Sequence, residues 1–164
     1  MAKNYILDAA TANRKMQRMA YEIVENNLDE KQVILAGIRE SGSVIARNIQ
    51  QLLNQIGYLQ TELITITLDK KQPAEVTLSP APDFNDKVVI IVDDVANSGK
   101  TMLYAIKPLL AYHPRKIQTL ALVERTHKAY PIHTDYVGLS VATTLQEHIF
   151  VETEGEQVLG AYME

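Results

Sequence analysis

Two short, unbroken apolar runs, Val33 to Ile38 and Val88 to Val92, constrain this chain more than any other feature. A strand without polar alternation has to be covered on both faces, the signature of a parallel sheet held between helices. The second run is β-branched throughout, which favours strand over helix. A helical pattern follows each run. Behind the first, the polar turn Arg39-Glu40-Ser41-Gly42 leads into a helix expected from about Ser43 to Ile56. Its apolar stripe is Val44, Ile45, Ile49, Leu52, Leu53 and Ile56, and Gly57 stands where a C-terminal cap belongs. Behind the second, small residues open a helix expected from about Lys100 to Tyr112.

The rest of the chain fits the same plan. Met16, Met19, Ala20, Ile23 and Val24 recur at helical spacing between Thr11 and Asn27. Leu59 to Leu68 alternates as a strand does, and Ile117 to Val123 reads as the next buried strand. Between them, Asp69 to Asp86 holds three prolines and two adjacent lysines and is expected to be a mobile loop. The tail from Tyr136 carries short strand-like pieces. Strand and helix in alternation imply an α/β fold with right-handed crossovers. A length of 164 residues with 46% hydrophobic content suits one domain spanning residues 1–164.

Composition removes several function classes. The absence of cysteine excludes disulfides, thiolate metal sites and a cysteine nucleophile. The start Met1-Ala2-Lys3-Asn4 lacks the pattern of a secretion signal and no apolar run reaches membrane-spanning length, so a cytoplasmic protein without membrane contact is expected. Net charge is −4 with both signs interspersed, which gives no bulk attraction to nucleic acid. The histidines show no metal-ligand spacing.

In a parallel sheet of this kind, ligands bind beyond the carboxyl ends of the strands, so the loops after Ile38, Val92 and Val123 should share a crevice. The loop after Val92 carries most chemistry: Asp93, Asp94, Val95, Ala96, Asn97, Ser98, Gly99, Lys100 and Thr101. Backbone N–H groups from Asn97 to Thr101, with the hydroxyls of Ser98 and Thr101, suit a phosphate at a helix start. Adjacent carboxylates at a strand end accept hydrogen bonds from a vicinal diol, or hold Mg²⁺ directly or through water. Asp at a strand end often does no more than cap a turn. Here the apolar run, the doubled acid and the Ser-Gly-Lys-Thr turn coincide, which points to a ligand. A P-loop needs a glycine where Asp94 stands, so that reading fails on spacing.

This segment resembles the signature with which type I phosphoribosyltransferases bind 5-phosphoribosyl-1-pyrophosphate (PRPP). The resemblance extends over nearly the whole chain to the pyrimidine-operon attenuation regulator/uracil phosphoribosyltransferase (PyrR-like) family. It rests on Ile6-Leu7-Asp8 with Arg18 to Ile23, on Leu35 to Arg39, on the PRPP loop, and on Leu122-Val123-Glu124-Arg125-Thr126-His127 with Pro131-Ile132 and Asp135 to Gly138. It implies a central, mainly parallel sheet flanked by helices, with a small hood from the terminal segments. It implies that Asp93 and Asp94 hold the ribose hydroxyls and that Val95 to Thr101 wrap the 5′-phosphate. Arg39, Glu40, Ser41 and Gly42 would form the pyrophosphate loop, Arg125 and Ile149 would lie at the base, and Lys70 and Lys71 would belong to a flexible lid. His127 follows Arg125 in the matched stretch. The implied reaction joins a base, uracil foremost, to PRPP with release of pyrophosphate, in a homodimer or higher homo-oligomer that uses Mg²⁺.

The chain departs from that family at informative places. Its pyrophosphate loop reads Glu40-Ser41-Gly42 where the family has Thr-Arg-Gly, which exchanges a cation for an anion beside a pyrophosphate. Asn97 replaces the aspartate base of hypoxanthine-type enzymes, and an amide takes no proton, which argues against a 6-oxopurine. At the family's RNA-contacting helix positions stand Gln17-Arg18, Tyr21 and Asn26, so only Arg18 is retained and it reads as a solvated helix residue. RNA is therefore not the expected partner. The rival to an enzyme is a PRPP or nucleotide sensor, with or without an RNA link, whose altered loop has cost it catalysis.

Overall fold

The computed structural model describes residues 3–73 and 75–164. The chain opens with strand β1 (Asn4–Asp8) and helix α1 (Ala9–Glu25). Asp8 sets the helix start, its carboxylate accepting the Thr11 N–H at 2.7 Å. The buried face of α1 is Ala12, Met16, Met19, Ala20 and Ile23. There follow β2 (Gln32–Ile38), α2 (Ser41–Ile56), β3 (Gln60–Leu68), β4 (Val76–Ser79) and β5 (Val88–Ala96). The remaining elements are α3 (Lys100–Ile106), β6 (Lys116–Arg125), β7 (Tyr136–Val141), β8 (Ile149–Glu154) and β9 (Gln157–Met163).

Six strands form one sheet in the order β4-β3-β2-β5-β6-β7. All neighbours run parallel except β4, which pairs antiparallel with β3. The reason the runs are unbroken is visible in β5. Val88, Ile90 and Val92 pack under α1 and α2, while Val89 and Ile91 pack under α3 and Phe84. A second, three-stranded antiparallel sheet in the order β1-β9-β8 joins the two ends of the chain. Its Leu7, Ile149, Val158 and Ala161 share the core under α1 and α2. This is the expected α/β fold with a hood from the terminal segments. Among the described residues, no helix is long and apolar enough to cross a membrane.

Three boundaries differ from expectation. Helix α2 begins at Ser41 rather than Ser43, so the loop before it is shorter and Ser41 and Gly42 belong to its first turn. Helix α3 ends at Ile106 and continues as a 3₁₀ segment, Lys107–Ala111. Pro108 lacks the N–H that an α-turn there would use, which accounts for the change. The segment from Asp69 to Asp86 is not simply a loop, because it contains β4 laid along β3 with Thr65 opposite Ser79 and Leu68 opposite Val76. Ala74 in that segment lies outside the described residues.

Candidate active site

Strand β5 continues past its apolar run and ends on Asp93, Asp94, Val95 and Ala96 at the carboxyl edge of the sheet. Asp93 is buried, with 1% of its surface exposed. It points into the α3 side, where Lys70 meets it with Nζ at 3.1 Å from Oδ1 and 3.4 Å from Oδ2. The same ammonium lies 3.6 Å from Asp94 Oδ1. Burial pushes the Asp93 carboxyl well above the usual carboxylate range, the Asp94 charge adds to this, and Lys70 works against it. Burial also opposes the charge on Lys70, but the two carboxylates outweigh it and raise its pKa.

Beyond Ala96 the chain turns through Asn97, Ser98 and Gly99 into α3. Gly99 adopts φ 89°, the left-handed region that favours glycine. A Cβ there would sit 3.2 Å from Ile132 Cβ, so a side chain would also press on Ile132. Ser98 Oγ accepts the Lys100 N–H at 3.3 Å. Lys70, Asp93 and residues 95–102 line a pocket of ≈ 50 Å³. The structure thus brings together Lys70, the acid pair and the small-residue turn; the sequence put the acids beside the turn and assigned Lys70 to the lid alone. A pocket this small holds no sugar phosphate while Lys70 rests on Asp93.

The loop after β2 reaches the acids through one glycine. A Cβ on Gly42 would lie 2.7 Å from the Val92 carbonyl oxygen and 3.0 Å from Asp93 Cα, so nothing larger fits. Arg39 and Glu40 are exposed, and Arg39 Nε stands 3.8 Å from Glu40 Oε1. The peptide between them is cis. Together with Ser41 they open not into the small pocket but into a neighbouring cleft of ≈ 610 Å³. Arg47, Thr65 and Thr67 line this cleft too. Sequence reading did not single these three out, although the alternation Ile64-Thr65-Ile66-Thr67 puts both hydroxyls on one strand face.

Other expected site residues stand apart. Arg125 donates from Nη2 to the Thr144 carbonyl at 2.8 Å and lines neither cavity. Ile149 is 6% exposed and packed in the core beneath the hood. Lys71 is exposed, its N–H held by Asp69 Oδ1 at 2.9 Å. His127 is exposed. Arg18 is exposed, as expected of a solvated helix residue, and it also pairs with Glu22 at 3.0 Å and donates to the carbonyls of Val137 and Gly138 at 3.0 and 2.9 Å. Its guanidinium ties α1 to β7.

The acid pair already accommodates a cation, since the Lys70 ammonium is shared by both carboxylates. Two oxygen-donor side chains fit Mg²⁺, which commonly takes one or two carboxylates and fills its shell with water and substrate phosphates. Among the described residues no cluster of three or more His, Cys, Asp or Glu side chains could hold a metal by itself. Asp93 and Asp94 would therefore hold the ion only in company with a ligand that brings its own oxygens.

Comparison with known proteins identifies the family and the fold. Residues 4–155 match the phosphoribosyl transferase domain. The chain is 37% identical over 166 residues to the "Bifunctional protein PyrR" of Streptococcus gordonii, covering 95% of each chain. It is 34% identical over 157 residues to the protein of the same name from Streptococcus pneumoniae, covering 93% of this chain and 91% of the relative. Among solved structures, the hypoxanthine phosphoribosyltransferase of Trypanosoma cruzi superposes with a TM-score of 0.82 at 12% identity, over 99% of this chain and 98% of the other. A hypoxanthine-guanine phosphoribosyltransferase from Bacillus anthracis gives a TM-score of 0.72 at 16% identity, over 86% of this chain and 84% of the other. At such identities the two structures speak for the fold alone.

Proposed function

The chain belongs to the phosphoribosyltransferase family, and from that premise we propose that it transfers the 5-phosphoribosyl group of PRPP to uracil. The observation that carries the proposal is the acid pair beside the turn from Ala96 to Thr101: buried Asp93 lines the small pocket, and partly exposed Asp94 shares its Lys70 cation. Carboxylates at the strand end suit the ribose 2′- and 3′-hydroxyls. The N–H groups and hydroxyls of Ser98 and Thr101 suit the 5′-phosphate. In the reaction the bond from the anomeric carbon to pyrophosphate breaks, a bond to a base nitrogen forms, and the proton of that nitrogen passes to solvent. Catalysis then consists of orientation and charge stabilisation.

Each of the chain's residues has a task in this reading. Asp93 and Asp94 fix the sugar, and residues 95–101 fix its phosphate, so that the anomeric carbon is presented to the base. Bound Mg²⁺ would neutralise pyrophosphate as it leaves. Arg39, Glu40, Ser41 and Gly42 meet the leaving group, with Arg39 as the cation that the altered loop retains. Lys70 and Lys71 return over the pyrophosphate as a lid, which excludes water. Arg125 and Ile149, expected at the base, line neither cavity, so the reading rests on the acid pair and the turn. Asn97 supports a pyrimidine over a 6-oxopurine, since no side-chain base stands there to take a purine proton. Exposed Tyr5 and Phe150 both pack on Tyr162, and this apolar patch on the hood favours a homo-oligomer, which light scattering would reveal.

A second reading has its own observation. The exposed Glu40 adds negative charge to the pyrophosphate loop, and the relatives bear the printed name "Bifunctional". A PRPP or nucleotide sensor with slow turnover follows from that. Pyrophosphate release from PRPP and Mg²⁺, with uracil, hypoxanthine, guanine, xanthine and orotate offered separately, decides between the two. Release with uracil alone supports the enzyme. Silence with all five, alongside measurable PRPP or UMP binding, favours the sensor.

A further inference from the structure

We propose that the segment 126–132, between β6 and β7, positions the phosphate-binding turn, and that Glu124 and Lys128 are the staple that holds this segment in place. The inference rests on the PRPP reading of the turn. Its starting point is the Ser98 carbonyl, which accepts two backbone N–H groups, from Ala129 and Tyr130, each at 3.0 Å. The turn is therefore fastened at its centre by a neighbouring loop rather than by α3. Ile132 and the Tyr130 carbonyl close on Gly99 at 3.2 and 3.4 Å from where its Cβ would be. Ile132 packs into the same core as Ala96 and Met102. Any shift of segment 126–132 would carry the N–H groups of residues 98–101 with it.

The segment has no regular structure of its own, so something must hold it. At its far end Thr119 accepts the Asp135 N–H at 3.1 Å and donates to the His133 carbonyl at 2.6 Å. At its near end the Thr126 N–H donates to the Val141 carbonyl at 3.1 Å. Lys128 then folds back, pairing with Glu124 and donating to the Arg125 carbonyl at 3.3 Å. Both side chains of the pair are largely shielded, 13% and 15% exposed. Glu124 Oε2 is taken by Ser140 Oγ at 3.1 Å, so the carboxylate is tied to β7 as well. Burial alone would raise the Glu124 carboxyl, yet the hydrogen bonds from Lys128 and Ser140 hold it below the usual range and ionised. Glu124 also lies in register with Ala96, the last residue of β5 before the turn.

The staple thus joins three strand ends to the turn without touching substrate, and both members are positioning residues. The test uses Glu124→Gln, Lys128→Met and the swapped double variant E124K/K128E, with the wild-type chain beside them. Ribose 5-phosphate and PRPP, each with Mg²⁺, are the probes, read by calorimetry, with melting temperature recorded for each protein. Each single variant is expected to lose about tenfold in affinity for both probes, since small misplacements of positioned groups cost that much or more. The KM for the base should stay put, and the swapped pair should restore binding in part. Unchanged affinity in both single variants would overturn the staple, as would a loss that merely follows melting temperature across the series. If the wild-type chain itself binds neither probe, the PRPP reading falls first and this inference with it.

Discussion

Asp93 is a residue held against its own preference. Its folded pKa is raised by burial and by Asp94, so the folded chain binds a proton more tightly than the unfolded one. Stability from this group is then present below the unfolded value and is lost as pH climbs from there toward the folded value. Replacing Asp93 by Asn should therefore leave the melting temperature equal or higher at neutral pH, while PRPP binding collapses. A clear fall in melting temperature would show the charge to be stabilising instead. Asp94→Asn should weaken PRPP by roughly 1.5–3 kcal/mol, the worth of hydrogen bonds to a charged group, in a titration against wild type. Gly42→Ala forces a methyl against Asp93 Cα and the Val92 carbonyl. It should cost about 1–3 kcal/mol of stability by chemical denaturation, and PRPP affinity with it.

At the scale of elements, the sequence showed what periodicity and turn chemistry can show. The runs at β2 and β5 were legible because burial on both faces leaves no polar alternation, and the Gly57 cap of α2 is in place at φ 79°. The acid pair and the turn after it were legible because a strand end and a helix start flank them. What stayed hidden depends on neighbours distant in sequence. Strand β4 is short and takes its order from pairing with β3, which no local signal announces among prolines. The fastening of Ser98 by residues 129 and 130 joins positions some thirty apart. Lys70 was read as a lid residue, but its contact with Asp93 is visible only in three dimensions. Because Lys70 and a metal ion seek the same oxygens, Lys70→Met should tighten Mg²⁺ binding in the presence of PRPP and slow turnover. Weaker Mg²⁺ binding in calorimetry would mean that the lysine does not compete.

For the whole molecule, the two sheets meet over one core, since Leu7, Ile149 and Ala161 of the hood pack with Val88 and Ile90 of the central sheet. A ligand seated at the sheet's carboxyl edge should therefore steady the entire fold. PRPP with Mg²⁺ at 100 times its Kd is expected to add about 2.7 kcal/mol to stability, read as a rise in melting temperature that grows with ligand concentration. No shift at saturating ligand would mean that the folded chain does not bind PRPP. The lysine resting on Asp93 and Asp94 gives this equilibrium a particular character. Both acids already share one cation, so admission is a trade of one positive partner for another. A sugar phosphate escorted by its own metal can complete the trade, while one arriving as a bare anion has nothing to offer the acids in exchange and must leave the lysine where it stands.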